Sequence, residues 1–439
     1  MNLLEKIKDT PSESIAYIQD SISYSYGNLY SLILKCSSYI RLKRYSKVII
    51  AADDSVSLVV LFLGCINAGA SPLLISPKQP EAVFKKIKER FKPSAIFNND
   101  FNCSHVDSFD EDLLSSFDLT NFFLCTSGTT NQMKIVTHSS QSLFYTGSQF
   151  SESINVVENS DIFFSAAKMT HAFGLGNSLS IPLTNGACTI LLKHDPAAQI
   201  VEKIIHRYNP SILCGVPRHL ISFLKINLPN NYTPRLILSA GEHLPSQIRE
   251  KIVSKFKCDI IDAIGSTEML GFFLVSSKNA SLKFTDTSIK YRLEHIEDSI
   301  FQLEVKSTHS SVGYFEEEKF KQGWIYTGDI FALSSFNSDV TLKYQGRAGD
   351  RIKINGHHAY LNEIDSEILK IEGVEDCYCT VTETEEFKKK LLIRIVTEAS
   401  MDSIVSNMRK IEVLNRMPFM LEKVGHIPRT ISGKVQRYI

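Results

Sequence analysis

A chain of 439 residues is long for one domain and suits two or three, with 43% hydrophobic residues to fill their cores. Lys and Arg together number 48, as do Asp and Glu, so the formal net charge is zero and neither nucleic acid nor an anionic membrane is an expected partner. Nine cysteines without paired spacing suit reduced thiols, and Met1-Asn2-Leu3-Leu4-Glu5-Lys6 lacks the apolar core of a signal peptide, so a cytoplasmic location is expected.

In chain order, Ser23 to about Leu42 reads as a turn leading into a helix, and Val48-Ile49-Ile50-Ala51 as a buried strand. The apolar run Ser57 to Ile75 is interrupted by Gly64, Asn67, Gly69 and Pro72. That pattern suits a buried helix, a glycine stop and a strand, not a membrane span. The polar stretch Asn98 to Asp112 reads as a surface loop. Strands are expected at Ile162–Phe164 and Thr189–Leu192. A helix follows, with Asp195 at its cap and Ile200, Ile204 and Tyr208 on its buried face. Ser211–Gly215, Arg235–Ser239 and Asp259–Ile264 are further strands. Between them fall helices over Pro217–Lys225 and around Ile248, Ile252 and Phe256. Alternating strands and helices predict an α/β fold with a parallel sheet covered on both faces. Cys377 and Cys379 share one strand in this reading, with no metal between them.

The chain is organised around Phe122 to Lys134. A buried strand runs there into Thr126-Ser127-Gly128-Thr129-Thr130, and Lys134 closes the loop. Free backbone N–H groups, hydroxyls and one cation are what phosphate oxygens need. The segment departs from the Gly-Lys-Ser/Thr nucleotide loop, because Met133 precedes Lys134 and Ile135 follows it. Ligands of parallel sheets sit beyond the carboxyl ends of the strands. Polar clusters fall there: Ser239-Ala240-Gly241-Glu242 after one strand, and Asp262-Ala263-Ile264-Gly265-Ser266-Thr267-Glu268-Met269-Leu270 along and after the next. By itself Ser266-Thr267-Glu268 also fits a helix cap. Further on stand Tyr326-Thr327-Gly328-Asp329, Gly346-Arg347-Ala348-Gly349-Asp350 and, near the C-terminus, Ile427-Pro428-Arg429-Thr430-Ile431-Ser432-Gly433-Lys434.

In order and spacing these clusters resemble the acyl-adenylate-forming superfamily over nearly the whole chain. Ala263 to Leu270 and Phe173-Gly174-Leu175-Gly176-Asn177 are most similar to benzoate-CoA ligases and their relatives. The resemblance implies an N-terminal AMP-binding domain over residues 1–347 with parallel-sheet βα layers. A small mobile α+β lid over residues 348–439 would turn about Gly349. It also implies ATP and Mg²⁺ for adenylation of an aromatic, benzoate- or cinnamate-like carboxylic acid, then transfer of the acyl group to coenzyme A. Thr126, Ser127, Gly128, Thr129, Thr130 and Lys134 would hold phosphates, with Thr267 on the α-phosphate and Glu268 on Mg²⁺. Gly241, Glu242, Asp262, Ala263 and Ile264 would border adenine, and Asp329 and Arg347 the ribose. Lys434 would bridge the carboxylate and the α-phosphate. The acyl slot would comprise Ala172, Phe173, Gly174, Ala240, Gly265 and Met269, without charge. His171 fits a gate, a support for the acceptor tunnel, or a purely structural role.

Departures from the superfamily pattern are Asn131, Met133 and Ile135 in the phosphate loop, and Gly349 at the hinge. Gly174 replaces the aspartate that pairs an amino-acid ammonium, so α-amino acids are not expected substrates. Gly271 replaces a histidine, which predicts room for a ring substituent or a cinnamate. Two other readings stay open. One is a free-standing adenylating enzyme that loads the phosphopantetheine of an acyl carrier protein. The other is an inactive nucleotide-binding regulator, against which the set Thr267, Glu268, Asp329, Arg347 and Lys434 argues.

Overall fold

The computed structural model describes residues 2–40, 46–100, 103–105, 121–126, 133–194, 196–276, 282–297, 299–317, 320, 323–336, 339–354, 357–383, 389–429 and 435. Two large sheets dominate. The first has nine strands, with six parallel strands at its centre in the spatial order Ile260–Ser266, Leu236–Ala240, Ile212–Gly215, Ile162–Ser165, Cys188–Leu191 and Ile15–Gln19. Antiparallel strands close both edges. The second has seven strands around a parallel core of Asn121–Cys125, Ser71–Ile75, Lys47–Ala51 and Ala95–Phe97.

Between the sheets lies the main core, where Tyr17, Tyr26, Phe62 and Phe122 are among the fully buried side chains. The helix Val56–Asn67 runs through it. Ser55 caps this helix by accepting from the Leu58 N–H at 3.1 Å, eight of its residues are buried, and Gly69 turns at φ +83° into the buried strand Ser71–Ile75. No helix among the described residues is long and apolar enough to cross a membrane.

Three expectations shift. The helix after Leu191 begins at Ala198 with Ala197 at its cap, while Asp195 lies outside the described residues. Its buried stripe is Val201, Ile204 and Ile205, which follow the i, i+3, i+4 spacing, and Ile200 is 41% exposed beside it. Cys103–His105, within the expected surface loop, is instead an edge strand paired with Ala95–Phe97.

An antiparallel four-stranded sheet, Lys290–Glu297, Ile300–Lys306, Ile325–Phe336 and Asp339–Arg347, follows the parallel layers. Beyond Arg347 a short turn, Ala348–Asp350, leads into a separate core built by residues from Ile352 to Leu421. It contains a two-stranded and a three-stranded sheet with the helices Leu361–Ile368 and Met401–Met408. Cys377 and Cys379 are buried on one face of the strand Val374–Thr382. Gly349 has open space where a Cβ would stand.

Candidate active site

Most of the described site residues face one cleft of about 2140 Å³. Its lining includes Thr126, Lys134, Gly241, Glu242, Asp262, Ala263, Ile264, Gly265, Thr267, Glu268, Asp329 and Arg347. The loop after Asn121–Cys125 returns as the antiparallel strand Ile135–Ser139, so this phosphate-loop candidate joins a hairpin. Its two ends are tied: the Thr126 N–H donates to the Lys134 carbonyl at 2.9 Å, and the Lys134 N–H donates to Thr126 Oγ1 at 3.2 Å. Ser127, Gly128, Thr129 and Thr130 lie outside the described residues, as does Lys434.

Thr267 and Glu268 sit in a tight turn between the strands Ile260–Ser266 and Gly271–Ser276. No helix starts there, so Glu268 caps none. Its carboxylate accepts from the Tyr314 hydroxyl at 2.8 Å, and Lys134 Nζ lies 4.1 Å from the centre of the same ring. Burial, then the Glu268 charge, raises the Tyr314 phenol, which therefore remains a donor. Tyr314 thus joins the loop cation to the carboxylate. Nothing in Val312-Gly313-Tyr314-Phe315 read alone signals that, because the strand Gly313–Tyr314 pairs with Ile135–Ser139 only in three dimensions.

Asp329 and Arg347 are direct partners across adjacent antiparallel strands, with Arg347 Nη1 3.3 Å from Asp329 Oδ1. Asp329 is 2% exposed, and its charge is the main cause raising the Arg347 guanidinium. Gly328 turns at φ +72°, where a Cβ would come within 3.2 Å of Arg347 Nη2.

Asp262 is held up at about 6, chiefly by burial, against the opposing pull of Arg249 and of hydrogen bonds from Ser239 and Leu244. A raised acid favours the folded state fully below its unfolded value near 3.8, and that contribution is lost as pH rises through 6. Asp262→Asn is therefore expected to remove a fall in stability on the order of 3 kcal/mol between about pH 4 and 6. Urea unfolding across that range checks it, and parallel curves for parent and variant would refute it.

A second, smaller cavity of about 90 Å³ adjoins the cleft. Ala172, Phe173, Ala240 and Gly265 line it with Gly271 and Phe272, and His171 stands at the N-cap of the short helix Ala172–Leu175. Gly174 and Met269 lie elsewhere. A Cβ on Gly174 would come 2.0 Å from the Lys168 carbonyl oxygen, so it faces backbone, and Met269 is buried in the apolar cluster with Phe273 and Leu303. The slot is not free of charged side chains: Lys168 and Arg218 also border it, together with His219. Lys168 Nζ is turned onto the carbonyls of Leu192 and Lys193 at 3.2 and 3.3 Å.

The room expected at Gly271 is already filled. At φ +150°, a Cβ there would meet the Phe150 ring at 2.3 Å, and that ring stacks on Phe272 at 4.2 Å between centroids. Gly271→His would displace Phe150 before it narrowed the slot. Gly271→Ala is expected to cost about 1–3 kcal/mol, less in a Phe150→Ala background, measured by chemical denaturation. Equal losses in both backgrounds would contradict the contact.

Glu242 lines the cleft with Gly241 and Asp262 and has a second set of partners. One carboxylate oxygen accepts from the Val435 N–H at 2.7 Å and the other lies 3.7 Å from Arg429 Nη1, so the side chain addresses the C-terminal segment.

A family model described as AMP-binding enzyme matches residues 3–120 and 110–297. The chain is 27% identical to a benzoate–CoA ligase of Thauera aromatica, over 96% of this chain and 91% of that protein. It is 24% identical to a 4-hydroxybenzoate–CoA/benzoate–CoA ligase of Rhodopseudomonas palustris, over 97% and 90%. Among solved structures, a benzoate CoA ligase from Burkholderia xenovorans superposes with TM-score 0.86 at 22% identity, covering 100% of this chain and 99% of that one. The chain belongs to the AMP-binding enzyme family.

Proposed function

We propose that the protein activates a benzoate-type aromatic carboxylic acid with ATP and passes the acyl group to coenzyme A. One observation carries this reading: the small slot opens into the large cleft at a shared border formed by Arg218, Gly241, Gly265, Ser266 and Thr267. An aryl acid seated in the slot against Phe173 would present its carboxylate there, beside a nucleotide's α-phosphate in the cleft. The relatives' names support the substrate class. With Phe150 filling the space beside Gly271, a single ring fits the reading better than a cinnamate.

In this reading the acid's carboxylate oxygen attacks the α-phosphorus, pyrophosphate leaves, and the thiol later takes the acyl carbon as AMP leaves. Two anions must meet first. Thr126 to Thr130 and Lys134 receive the outer phosphates, Thr267 donates to the α-phosphate, and Lys434 brings a cation to the developing charge. Asp329, held by Arg347, accepts from ribose hydroxyls. Among the described residues no group of three or more His, Cys, Asp or Glu could hold a metal, so Mg²⁺ would rest on Glu268 and the phosphate oxygens, as suits this ion. When bound, Mg²⁺ would neutralise phosphate charge. The Tyr314 hydroxyl aims the Glu268 carboxylate for that role. Residues 1–347 would form the nucleotide-binding domain and residues 348–439 a lid turning at Gly349.

Pyrophosphate exchange over a panel of acids tests the reading. Benzoate and hydroxybenzoates should exchange most strongly, with phenylalanine and palmitate near background. Exchange with an amino acid or a long-chain acid, and none with aryl acids, would overturn it. Supplying CoA or a phosphopantetheinylated carrier protein then separates the two acceptors.

A further inference from the structure

Arg429 occupies a junction between the two bodies of the fold. Its guanidinium Nη2 donates to both carboxylate oxygens of Asp376, at 2.9 and 2.7 Å, and Nη1 lies 3.7 Å from Glu242. Asp376 belongs to the strand Val374–Thr382 of the C-terminal core, whereas Glu242 follows the strand Leu236–Ala240 on the floor of the cleft. Arg429 also forms an isolated antiparallel bridge with Val435, and the Val435 N–H donates to the same Glu242 carboxylate at 2.7 Å. That amide is covalently next to Lys434. Glu242 therefore holds both ends of the segment 429–435, one through charge and one through backbone.

From this arrangement we propose that Arg429 is a positioning residue, which fastens the segment bearing Lys434 to Glu242 for adenylation. An exposed ion pair would contribute little, but the Arg429 side chain is 16% exposed, Glu242 23% and Asp376 33%. One guanidinium nitrogen meets Asp376 and the other faces Glu242, so the arginine spans two carboxylates on different elements, which the single ammonium of a lysine does less well. The clamp acts only while the two bodies are apposed. Its loss should slow the step that needs Lys434 at the α-phosphate and spare the step that does not. The inference rests on the reading of Lys434 given above.

The test compares Arg429→Ala, Arg429→Lys and Asp376→Asn with the parent in two half-reactions: pyrophosphate exchange with benzoate, and CoA capture of supplied benzoyl-AMP. Arg429→Ala is expected to lower the exchange rate by about tenfold and leave capture within about twofold. Arg429→Lys and Asp376→Asn should fall between it and the parent. Should Arg429→Ala not fold, the lysine variant carries the comparison. An unchanged ratio of the two rates overturns the clamp. If the parent exchanges pyrophosphate with no acid, the adenylation reading fails instead. The clamp is then judged by small-angle X-ray scattering of parent and variants: a larger maximum dimension in Arg429→Ala supports it, and an unchanged one overturns it.

Discussion

Lys434→Ala is expected to lower adenylation by about 10²–10³-fold while leaving CoA capture of supplied aroyl-AMP near the parent rate. The size follows from removing one cation aimed at charge that develops only in the transition state, a loss of about 3–4 kcal/mol. The asymmetry follows from the step it serves. Val435, the residue after Lys434 in the sequence, donates its N–H to Glu242, which lines the nucleotide cleft, and the proposed role of Lys434 belongs to the adenylation step alone. Capture of the thiol asks nothing of it. Rapid-quench measurement of both half-reactions decides the matter, and equal losses in the two would remove Lys434 from its assigned role.

Glu268→Gln is expected to raise the Mg²⁺ concentration for half-maximal adenylation and to lower the rate at fixed Mg²⁺ by about 10–10²-fold. Glutamine keeps the shape and can still accept from the Tyr314 hydroxyl, but loses the charge that a hard cation requires. The fold should therefore survive, with an unchanged far-ultraviolet circular dichroism spectrum. Tyr314→Phe is the matched control: it removes the hydroxyl that aims the carboxylate and should produce the same Mg²⁺ shift in smaller measure. A Glu268→Gln enzyme with the parent's Mg²⁺ dependence would show that the carboxylate serves only the turn.

Much of this architecture was legible because short apolar runs with polar ends, such as Leu236–Ala240 and Ile260–Ser266, declare both a buried strand and the place where its polar end emerges. Asp329 and Arg347 were brought together by the family resemblance, and in the structure Asp329, within the strand Ile325–Phe336, faces Arg347 at the end of the strand Asp339–Arg347. What stayed hidden depends on packing between distant elements. Tyr314 meets Glu268 and Lys134 only after the strand Gly313–Tyr314 joins the hairpin 121–139. Gly271 looked like added room because a missing side chain is visible in a sequence, whereas the Phe150 ring that fills its place is not. Gly174 misled similarly: the glycine is needed by the Lys168 carbonyl behind it, not by the slot in front. The stripe of the helix Ala198–Tyr208 was misjudged because Ile200 is apolar yet faces outward, while Val201 and Ile205 complete the buried face with Ile204.

The most direct measurement is identification of the products formed from benzoate, ATP, Mg²⁺ and coenzyme A. Mass spectrometry should find benzoyl-CoA, AMP and pyrophosphate in equal amounts, with benzoyl-AMP appearing in place of the thioester when the thiol is withheld. ADP and phosphate as the nucleotide products, or benzoyl-AMP that coenzyme A fails to discharge, would contradict the account.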